Sequence, residues 1–441
     1  MGRARLIAIF VTGVLLTAGR ARAMDQARLD QFFDRLAEKN QAMGSLVIAK
    51  DGDVLYARSI GYGEINAAGR KPLTAASRFR IASITKTYTA VMILQLVEEG
   101  KLKLTDTLDP FFPQVPNARK ITIGQILAHR SGVPEVRRDR ITWKPGAPVA
   151  PEEMLALITQ GAPEFEPDAK HSYSNSGYFL LGLILEKVTG KPYAEALEER
   201  ITSRIGLKDT YRATGNIDVS KGEALTYGNT GSDWKQGFET HPSIGFQLIS
   251  TAGDMATFIE ALFDLKLISQ ESLDRMKTIK DGDGLGMTTF TFAGKTFYGE
   301  SGGGDNYGAW LAYLPEEKLA VVYATNAKVY PVKEILAGVI DLYYDKPFEI
   351  PTFETIAVGP EVLDQYVGVY SSPDAPRKWT VKREGATLLA QPARENAAAL
   401  EATAPGKFQL FGGAVTFEFD AAKGEMILKR AGRTITFTKD K

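Results

Sequence analysis

Apolar and polar residues change their spacing along the chain in a way that predicts an α+β fold. Residues 43–57 hold two apolar runs around an Asp51-Gly52 turn, which is typical of a hairpin. Residues 83–100 have apolar positions at helical spacing, and Gly100 is a natural stop. Further helical patterns lie at 123–129, 178–189, 194–204 and 252–265, and strand patterns return at 289–292, 309–314 and 319–325. This order predicts one antiparallel sheet, flanked by helices, in which the late strands join the first hairpin.

The pattern changes again after residues 346–360, which carry three prolines and weak periodicity. We therefore place a domain boundary near Thr355, between a large domain at 24–350 and a small one at 356–441. Short alternating runs follow, separated by Gly, Asp and Pro turns, at 367–370, 379–382, 388–390, 408–411, 415–419, 426–429 and 434–438. Their spacing predicts a small antiparallel β-barrel.

The first residues are typical of a signal peptide. Basic residues precede an apolar run at 6–18, and Ala21-Arg22-Ala23 matches a small-residue cleavage site. The run is shorter than the ~20 residues that a spanning helix needs, so we predict cleavage near Met24 and no membrane span in the mature protein. The predicted location is periplasmic or secreted.

Composition narrows the chemistry. Lys plus Arg and Asp plus Glu both number 53, without a long run of either sign, which argues against nucleic acid or an anionic membrane as partner. The absence of cysteine excludes disulfides and thiol catalysis. The three histidines lack metal-ligand spacing, so we expect no metal and no cofactor. A small molecule or a peptide is the expected substrate, and the sequence leaves the oligomeric state open.

Ser83 and Lys86 stand three residues apart at the start of the apolar helix pattern, so both side chains project from one face. Serine is a poor nucleophile unless a base takes its proton, and a lysine removed from water can act as that base. Alone, this spacing is weak evidence, because it recurs at Ser232 and Lys235 in a Gly-rich loop. An ordinary N-cap is the alternative role for Ser83.

Two further motifs carry candidate side chains. Tyr173, Ser174 and Asn175 form a predicted loop where a phenol and an amide could face a cleft, and Tyr227 and Asn229 have the same spacing. Residues 299–304 read Gly-Glu-Ser-Gly-Gly-Gly just before a strand pattern, so a substrate could lie close to this backbone and its N–H groups. The segment also resembles the Gly-Asp-Ser-Gly-Gly of trypsin-like proteases, but no histidine follows Ser301 or has the required context.

In this order, the motifs resemble the serine β-lactamase-related family, which includes class C β-lactamases, D,D-peptidases, D-aminopeptidases and related esterases. The resemblance covers roughly residues 30 to 345, and its supporting stretches are 79–90, 121–132, 173–182 and 250–256. It implies a serine β-lactamase/penicillin-binding-like domain. The tail resembles, more loosely, the lipocalin-like barrel attached to some members.

The resemblance also implies roles for the candidate residues. Ser83 would be the acylated nucleophile, Lys86 its base, and Tyr173 a proton relay to the leaving group. Asn175 would donate to the carbonyl on the acyl side of the substrate. Backbone N–H groups of Ser83 and Gly303 would form the oxyanion hole, with Ser301 and Gly302 in the same substrate-binding segment.

Glu300 departs from the family pattern, which has Lys, His or sometimes Trp at this position. A carboxylate raises the pKa of a neighbouring tyrosine and repels substrate carboxylates. We therefore expect a preference for esters, amides or substrates with a free amino group, which Glu300 could pair with. Alternatively, Glu300 points away or stays protonated.

The sequence thus favours a serine hydrolase that cleaves an ester or amide, such as a peptide, a D-amino-acid derivative or a small ester. A β-lactamase or D-Ala-D-Ala carboxypeptidase is the first alternative. The second alternative is a non-catalytic protein that binds cell-wall fragments or a partner through a decayed site.

Overall fold

The computed structural model describes residues 24–136, 141, 149–229, 233–237, 245–393, 397–410, 413, 415–430 and 433–440. The predicted leader and most of residues 137–148 lie outside these ranges. The helices are α1 (Gln26–Glu38), α2 (Thr85–Glu98), α3 (Ile123–Leu127), α4 (Pro151–Gln160), α5 (Asn175–Thr189), α6 (Tyr193–Leu197), α7 (Ser203–Ile205), α8 (Ala252–Phe263), α9 (Gln270–Lys277), α10 (Val332–Tyr343) and α11 (Pro360–Asp364).

The strands fall into two large sheets and several small ones. They are β1 (Ala42–Lys50), β2 (Asp53–Ile60), β3 (Tyr62–Asn66), β4 (Gly69–Pro72), β5 (Phe79–Arg80), β6 (Tyr211–Arg212), β7 (Tyr227–Asn229), β8 (Trp234–Gln236), β9 (Leu248–Ser250), β10 (Thr288–Phe292), β11 (Lys295–Gly303), β12 (Gly308–Leu314), β13 (Leu319–Lys328), β14 (Gly368–Ser372), β15 (Ala375–Glu384), β16 (Thr387–Pro392), β17 (Ala398–Ala404), β18 (Lys407–Leu410), β19 (Val415–Asp420), β20 (Glu425–Arg430) and β21 (Arg433–Lys439).

The central sheet is antiparallel and has the strand order β10-β11-β12-β13-β1-β2. The predicted hairpin forms β1 and β2, and the late strands join it because β13 pairs with β1, as in Leu46 opposite Tyr323. The prediction of an α+β fold, in which early and late strands form one antiparallel sheet, is therefore confirmed.

Both faces of this sheet are covered, which explains why β1 is buried from Ala42 to Ala49 rather than at alternating positions. Val47, Leu311 and Val322 belong to a core on the face that carries α2, α5 and α8. Leu46 and Tyr323 belong to a second core on the opposite face, under α1 and α10. We call the first of these faces the helical face.

Helix α2 is the centre of the helical face. All of its residues from Thr85 to Leu96 are buried, so it is enclosed around its whole circumference rather than on one stripe. The prediction of a helix at 83–100 is correct in position, but α2 begins two residues later, and Ser83 lies in the 3-10 turn Ala82–Ile84 that precedes it. The nucleophile candidate is thus fixed by the most deeply packed helix of the domain.

Helix α1 is absent from the predicted elements, although its sequence carries the signal. Apolar residues of α1 follow the i, i+3, i+4, i+7 pattern and are buried in the second core, under α1 and α10: Leu29, Phe32, Phe33 and Leu36. The helix also has a capping residue, since Asp25 accepts a hydrogen bond from Arg28 N at 3.0 Å. Its place next to the predicted leader concealed a regular amphipathic helix.

The C-terminal strands close into a barrel in the order β14 to β21, which confirms the predicted small antiparallel barrel. Aromatic side chains fill its interior, among them Tyr370, Phe408 and Phe417. One strand, β17, was missing from the prediction because its Ala-Ala-Leu-Glu-Ala-Thr-Ala sequence is poor in β-branched and aromatic residues. The domain boundary near Thr355 remains a prediction.

Among the described residues, no helix is both long and apolar enough to cross a membrane.

Strand β11 comes very close to the turn that carries Ser83, and a glycine makes this contact possible. A Cβ atom placed on Gly302 would lie 2.3 Å from Ile81 O and 2.6 Å from Ser83 N. A Cβ on Gly303 would meet its nearest neighbours, Lys328 Nζ and Tyr307 O, at 3.4 Å. Only the first position is too tight for a side chain.

We expect Gly302→Ala to lower the free energy of unfolding by ~1–3 kcal/mol, because the added methyl must push the strand away from the turn. Gly303→Ala is the matched control and should change it by less than ~0.5 kcal/mol. Neither glycine has a positive φ, so backbone strain does not confuse the comparison. Urea unfolding of the two variants measures the difference, and equal losses would contradict the proposed contact.

Candidate active site

Ser83 projects from a tight turn between β5 and α2. The residue before it, Ala82, has a φ of 45°, which a non-glycine residue adopts only when its surroundings impose it. Ser83 is not the N-cap of α2, because that position is Ile84 and makes no side-chain capping bond. The ordinary capping role is therefore wrong for this serine.

Two groups converge on the Ser83 hydroxyl. Lys86 Nζ lies 3.0 Å from Ser83 Oγ, and the Tyr173 hydroxyl donates to the same oxygen at 2.7 Å. Lys86 is 7% exposed, since α2 holds it between the sheet and the other helices. The structure therefore brings together Ser83, Lys86 and Tyr173 from segments 90 residues apart in sequence.

Tyr173 keeps its proton in this environment. Burial of its hydroxyl raises its pKa far above the ordinary value, and the nearby charge of Glu300 raises it further, against the lowering effect of the Ser83 hydrogen bond. The residue as a whole is 41% exposed, and its ring stacks on His129 at 4.4 Å between centroids. The sequence also predicts that Glu300 raises the pKa of Tyr173, but burial is a larger cause than the charge of Glu300.

His129 supports this tyrosine as a neutral imidazole. Burial, with smaller contributions from the charges of Lys86 and His171, lowers the pKa of His129 to about 3. Its Nδ1 accepts a hydrogen bond from Ser174 N at 3.0 Å, which fixes the loop just after Tyr173. His129 therefore positions Tyr173 without adding a charge beside Lys86.

Asn175 is the first residue of α5, whereas the sequence predicts it on a loop. Its Oδ1 accepts a hydrogen bond from Lys86 Nζ at 3.0 Å. Its Nδ2 donates to Glu135 at 3.1 Å. Glu135 is absent from the predicted site, because a lone glutamate after Val133-Pro134 has no motif around it and only the fold places it at the start of α5.

The end of β11 presents a free edge beside Ser83. Strand β10 pairs with β11 only as far as Thr288 opposite Gly299, so within the described part of the chain no strand pairs with residues 300–303 on that side. Gly304 N donates toward β12, to Tyr307 O at 3.0 Å. Because amides alternate in direction along a strand, Gly303 N–H points to the free edge. This direction suits an oxyanion donor.

Glu300 lies on β11 opposite Leu311, so its side chain starts on the helical face. It is 6% exposed and accepts a hydrogen bond from Ser301 N at 2.8 Å. Burial raises its pKa to about 7, against the lowering effects of that bond and of the Lys86 charge, while Asp283 raises it further. The charge of Glu300 also raises the pKa of Tyr173, so the geometry favours a Glu300 side chain directed toward the site over one that points away.

Hydrogen bonds and ion pairs tie the loops around the site to one another. His171 Nε2 and Asp283 Oδ2 are 2.8 Å apart, and Arg130 Nη1 lies 2.5 Å from Asp281 Oδ2. Arg130 also pairs with Asp168 in the loop that leads to Tyr173. The segment between α9 and β10 is therefore held to the loop before Tyr173 through His171, and to the segment after α3 through Arg130.

The candidates set aside from the sequence do not join this cluster. The Tyr227 hydroxyl accepts a hydrogen bond from Ile65 N at 2.6 Å in a separate small sheet. Ser232 lies outside the described residues. Ser301 precedes Gly302 within β11, and a strand-to-helix elbow is not formed there. Within the described ranges, no cluster of three or more His, Asp or Glu side chains could hold a metal ion.

Comparison with known proteins gives the same picture. The Beta-lactamase family model matches residues 29–345, more than half of the chain. The chain is 26% identical over 374 residues to penicillin-binding protein 4* of Bacillus subtilis (strain 168), covering 78% of this chain and 82% of that protein. It is also 26% identical over 357 residues to the D-alanyl-D-alanine-carboxypeptidase/endopeptidase AmpH of Escherichia coli (strain K12), covering 73% and 91%.

A solved structure extends the similarity over the barrel. The octameric penicillin-binding protein homologue from Pyrococcus abyssi superposes with a TM-score of 0.66 and 26% identity, covering 94% of this chain and 100% of that one. The family model, the relatives and the solved structure therefore agree on the family of this chain. The chain belongs to the beta-lactamase family of serine hydrolases.

Proposed function

We propose that this protein cleaves an amide or ester bond through an acyl-enzyme on Ser83. The observation that carries the proposal is the convergence of Lys86 Nζ and the Tyr173 hydroxyl on one serine oxygen, at 3.0 and 2.7 Å. A serine with a base on one side and a proton donor on the other is equipped for both halves of acyl transfer. We place the reaction in the periplasm or outside the cell, on the strength of the predicted leader.

Acylation follows from the positions of these groups. Unprotonated Lys86 takes the proton of Ser83 as Oγ attacks the carbonyl carbon of the substrate. The negative charge that develops on the carbonyl oxygen is stabilised by the N–H groups of Ser83 and Gly303. Tyr173 gives its proton to the departing amine or alcohol and is reprotonated by Lys86, so that proton and leaving group balance. Water then attacks the carbonyl carbon of the acyl-enzyme and gives a proton to Lys86, while Ser83 Oγ leaves with the proton of Tyr173, which Lys86 again restores.

Tyr173 acts as the proton donor in this scheme because its pKa is strongly raised by burial. A tyrosine that keeps its proton cannot accept the proton of Ser83. Lys86 is therefore the base that deprotonates Ser83. Asn175 holds Lys86 through its Oδ1, and the second N–H of its amide remains for the acyl side of the substrate.

The charge of Glu300 favours binding of a substrate with a free amino group and disfavours one with a free carboxylate. Its carboxylate reaches the free edge of β11, where it accepts the N–H of Ser301. An ammonium placed there gains an ion pair, whereas a carboxylate is repelled. This favours amine-bearing amides, peptides or esters, and it disfavours penicillins and peptides whose terminal carboxylate must lie at this point.

Two alternatives remain testable. AmpH is named a D-alanyl-D-alanine-carboxypeptidase/endopeptidase, so a carboxypeptidase or β-lactamase activity is the first alternative. A non-catalytic protein that binds cell-wall fragments is the second, and the intact cluster around Ser83 argues against it.

Intact-mass spectrometry after treatment with a fluorophosphonate tests the acyl-enzyme directly. We expect one covalent adduct on the wild type and none on Ser83→Ala, because Oγ is the attacking atom. Lys86→Met should lower the labelling rate by about a hundredfold or more, as expected for loss of a general base. A folded wild-type protein that forms no adduct with a fluorophosphonate, a penicillin or an activated ester would support the binding alternative.

Substrate preference tests the role of Glu300. The ratio of kcat/KM for a D-amino-acid anilide with a free amine to that of its N-succinyl analogue should fall about tenfold or more in Glu300→Gln and further in Glu300→His, because the ion pair is lost and then reversed. Nitrocefin hydrolysis is measured in parallel. An unchanged ratio in both variants would exclude contact between Glu300 and the substrate charge.

The buried charge of Glu300 should also destabilise the fold above neutral pH. Its folded pKa of about 7 lies above the ordinary value of 4.5, so the folded state binds this proton more tightly than the unfolded state. The penalty is therefore absent below pH 4.5, develops as the pH rises to 7, and is complete above it. Glu300→Gln should match the wild type near pH 4 and exceed its free energy of unfolding by ~3 kcal/mol at pH 8.

Thermal or urea unfolding at both pH values measures this difference. Glu354→Gln, at an exposed loop position, is the matched control and should show no pH-dependent gain. A gain that is the same at pH 4 and pH 8 would mean that packing, rather than the charge, distinguishes the variant.

A further inference from the structure

Glu135 collects hydrogen bonds from three consecutive residues at the start of α5. Its Oε2 accepts from Ser174 Oγ at 2.8 Å and from Ser176 N at 3.1 Å. Its Oε1 accepts from the backbone N and the side-chain Nδ2 of Asn175, both at 3.1 Å. A carboxylate at a helix N-terminus also gains from the helix dipole. Four donors on one carboxylate hold it firmly in this position.

The contact with Nδ2 determines which way the Asn175 amide faces. The two ends of an amide have nearly the same shape, so only their partners decide which end is oxygen and which is nitrogen. Glu135 accepts and, when ionised, does not donate, so the nitrogen must face it. The oxygen then faces Lys86, which it meets at 3.0 Å.

This orientation matters for the base. An unprotonated lysine has two N–H groups and one lone pair, and the lone pair must face Ser83 Oγ to take its proton. With Oδ1 toward Lys86, Asn175 occupies one N–H and leaves the lone pair free. With the amide reversed, Nδ2 would donate to that lone pair and compete with the Ser83 hydroxyl.

We propose that Glu135 is a positioning residue for acylation, which fixes the amide of Asn175 and thereby keeps the lone pair of Lys86 for Ser83. The inference rests on the proposed function, because it needs Lys86 to act as the base toward Ser83. Glu135 touches neither Ser83 nor the reacting atoms in this scheme and acts through Asn175. It also leaves the second N–H of Nδ2 directed away from itself, available to the substrate.

Glu135→Gln tests this idea with little change of shape. The glutamine amide can donate as well as accept, so it no longer imposes one orientation on Asn175. We expect the second-order rate of Ser83 labelling by a fluorophosphonate to fall about tenfold or more. Glu135→Asp, which accepts without donating, should recover part of the loss although its side chain is shorter.

A double-mutant cycle with Asn175→Ala separates this role from simple stabilisation of α5. If Glu135 acts through Asn175, Glu135→Gln should lower the labelling rate by less than about twofold once Asn175 has been replaced. Ser269→Ala is the stability control, because it removes the cap of the remote helix α9, where Ser269 accepts from Ser272 N at 3.3 Å. It should lower stability and leave the labelling rate unchanged.

The outcomes divide cleanly. An equal loss from Glu135→Gln in both backgrounds, or no loss in a folded Glu135→Gln protein, would overturn the positioning role. If Glu135→Gln does not fold, the same cycle is run with Glu135→Asp, and the loss must again disappear with Asn175→Ala. Absence of labelling in the wild type would instead refute the proposed function, so the two failures are distinguishable.

Discussion

The close contact between β11 and the turn at Ser83 is the constraint on which the site depends. The sheet supplies the backbone N–H of Gly303, and the turn on the helical face supplies Ser83. These two parts of the site meet only if the strand and the turn approach so closely that no side chain fits between them. Gly302 provides that space. Ala82 adapts to the same contact with its positive φ. Backbone strain and glycine placement thus serve one geometric requirement.

A second requirement is electrostatic, because Lys86 is buried and must still exchange protons. Two of its hydrogen-bond partners, Ser83 and Asn175, are neutral. The carboxylates stand one step further away and differ in how well they are compensated. Glu135 has four donors and Asp283 has His171, whereas Glu300 accepts one hydrogen bond, from its neighbour Ser301, among the described residues. Burial is the main cause of the raised pKa of Glu300, and the hydrogen bond from Ser301 N and the charge of Lys86 offset it only in part.

Much of the architecture could be predicted from local patterns. The hairpin around Asp51 and Gly52, the apolar helix after Ser83 and the alternating barrel strands all carry their signals in neighbouring residues. Ser83, Lys86 and Tyr173 could be selected only as a set, since each motif also occurs elsewhere by chance. Glu135 could not be found in this way, because its partners lie 39 to 41 residues away and only packing brings them together. The same holds for the pairing of His171 with Asp283.

Glu300 illustrates how one substitution can change a site without dismantling it. The amides of β11 that face the free edge include those of Ser301 and Gly303, and Glu300 takes the first of them for itself. A substrate therefore finds one free donor, at the place where an oxyanion forms, and an acceptor where the family more often presents a cation. Ser83 keeps its hydrogen bonds to Lys86 and Tyr173 beside this exchange. Changing the sign of the charge on this edge alters which substrates bind well, while the chemistry at Ser83 keeps its geometry.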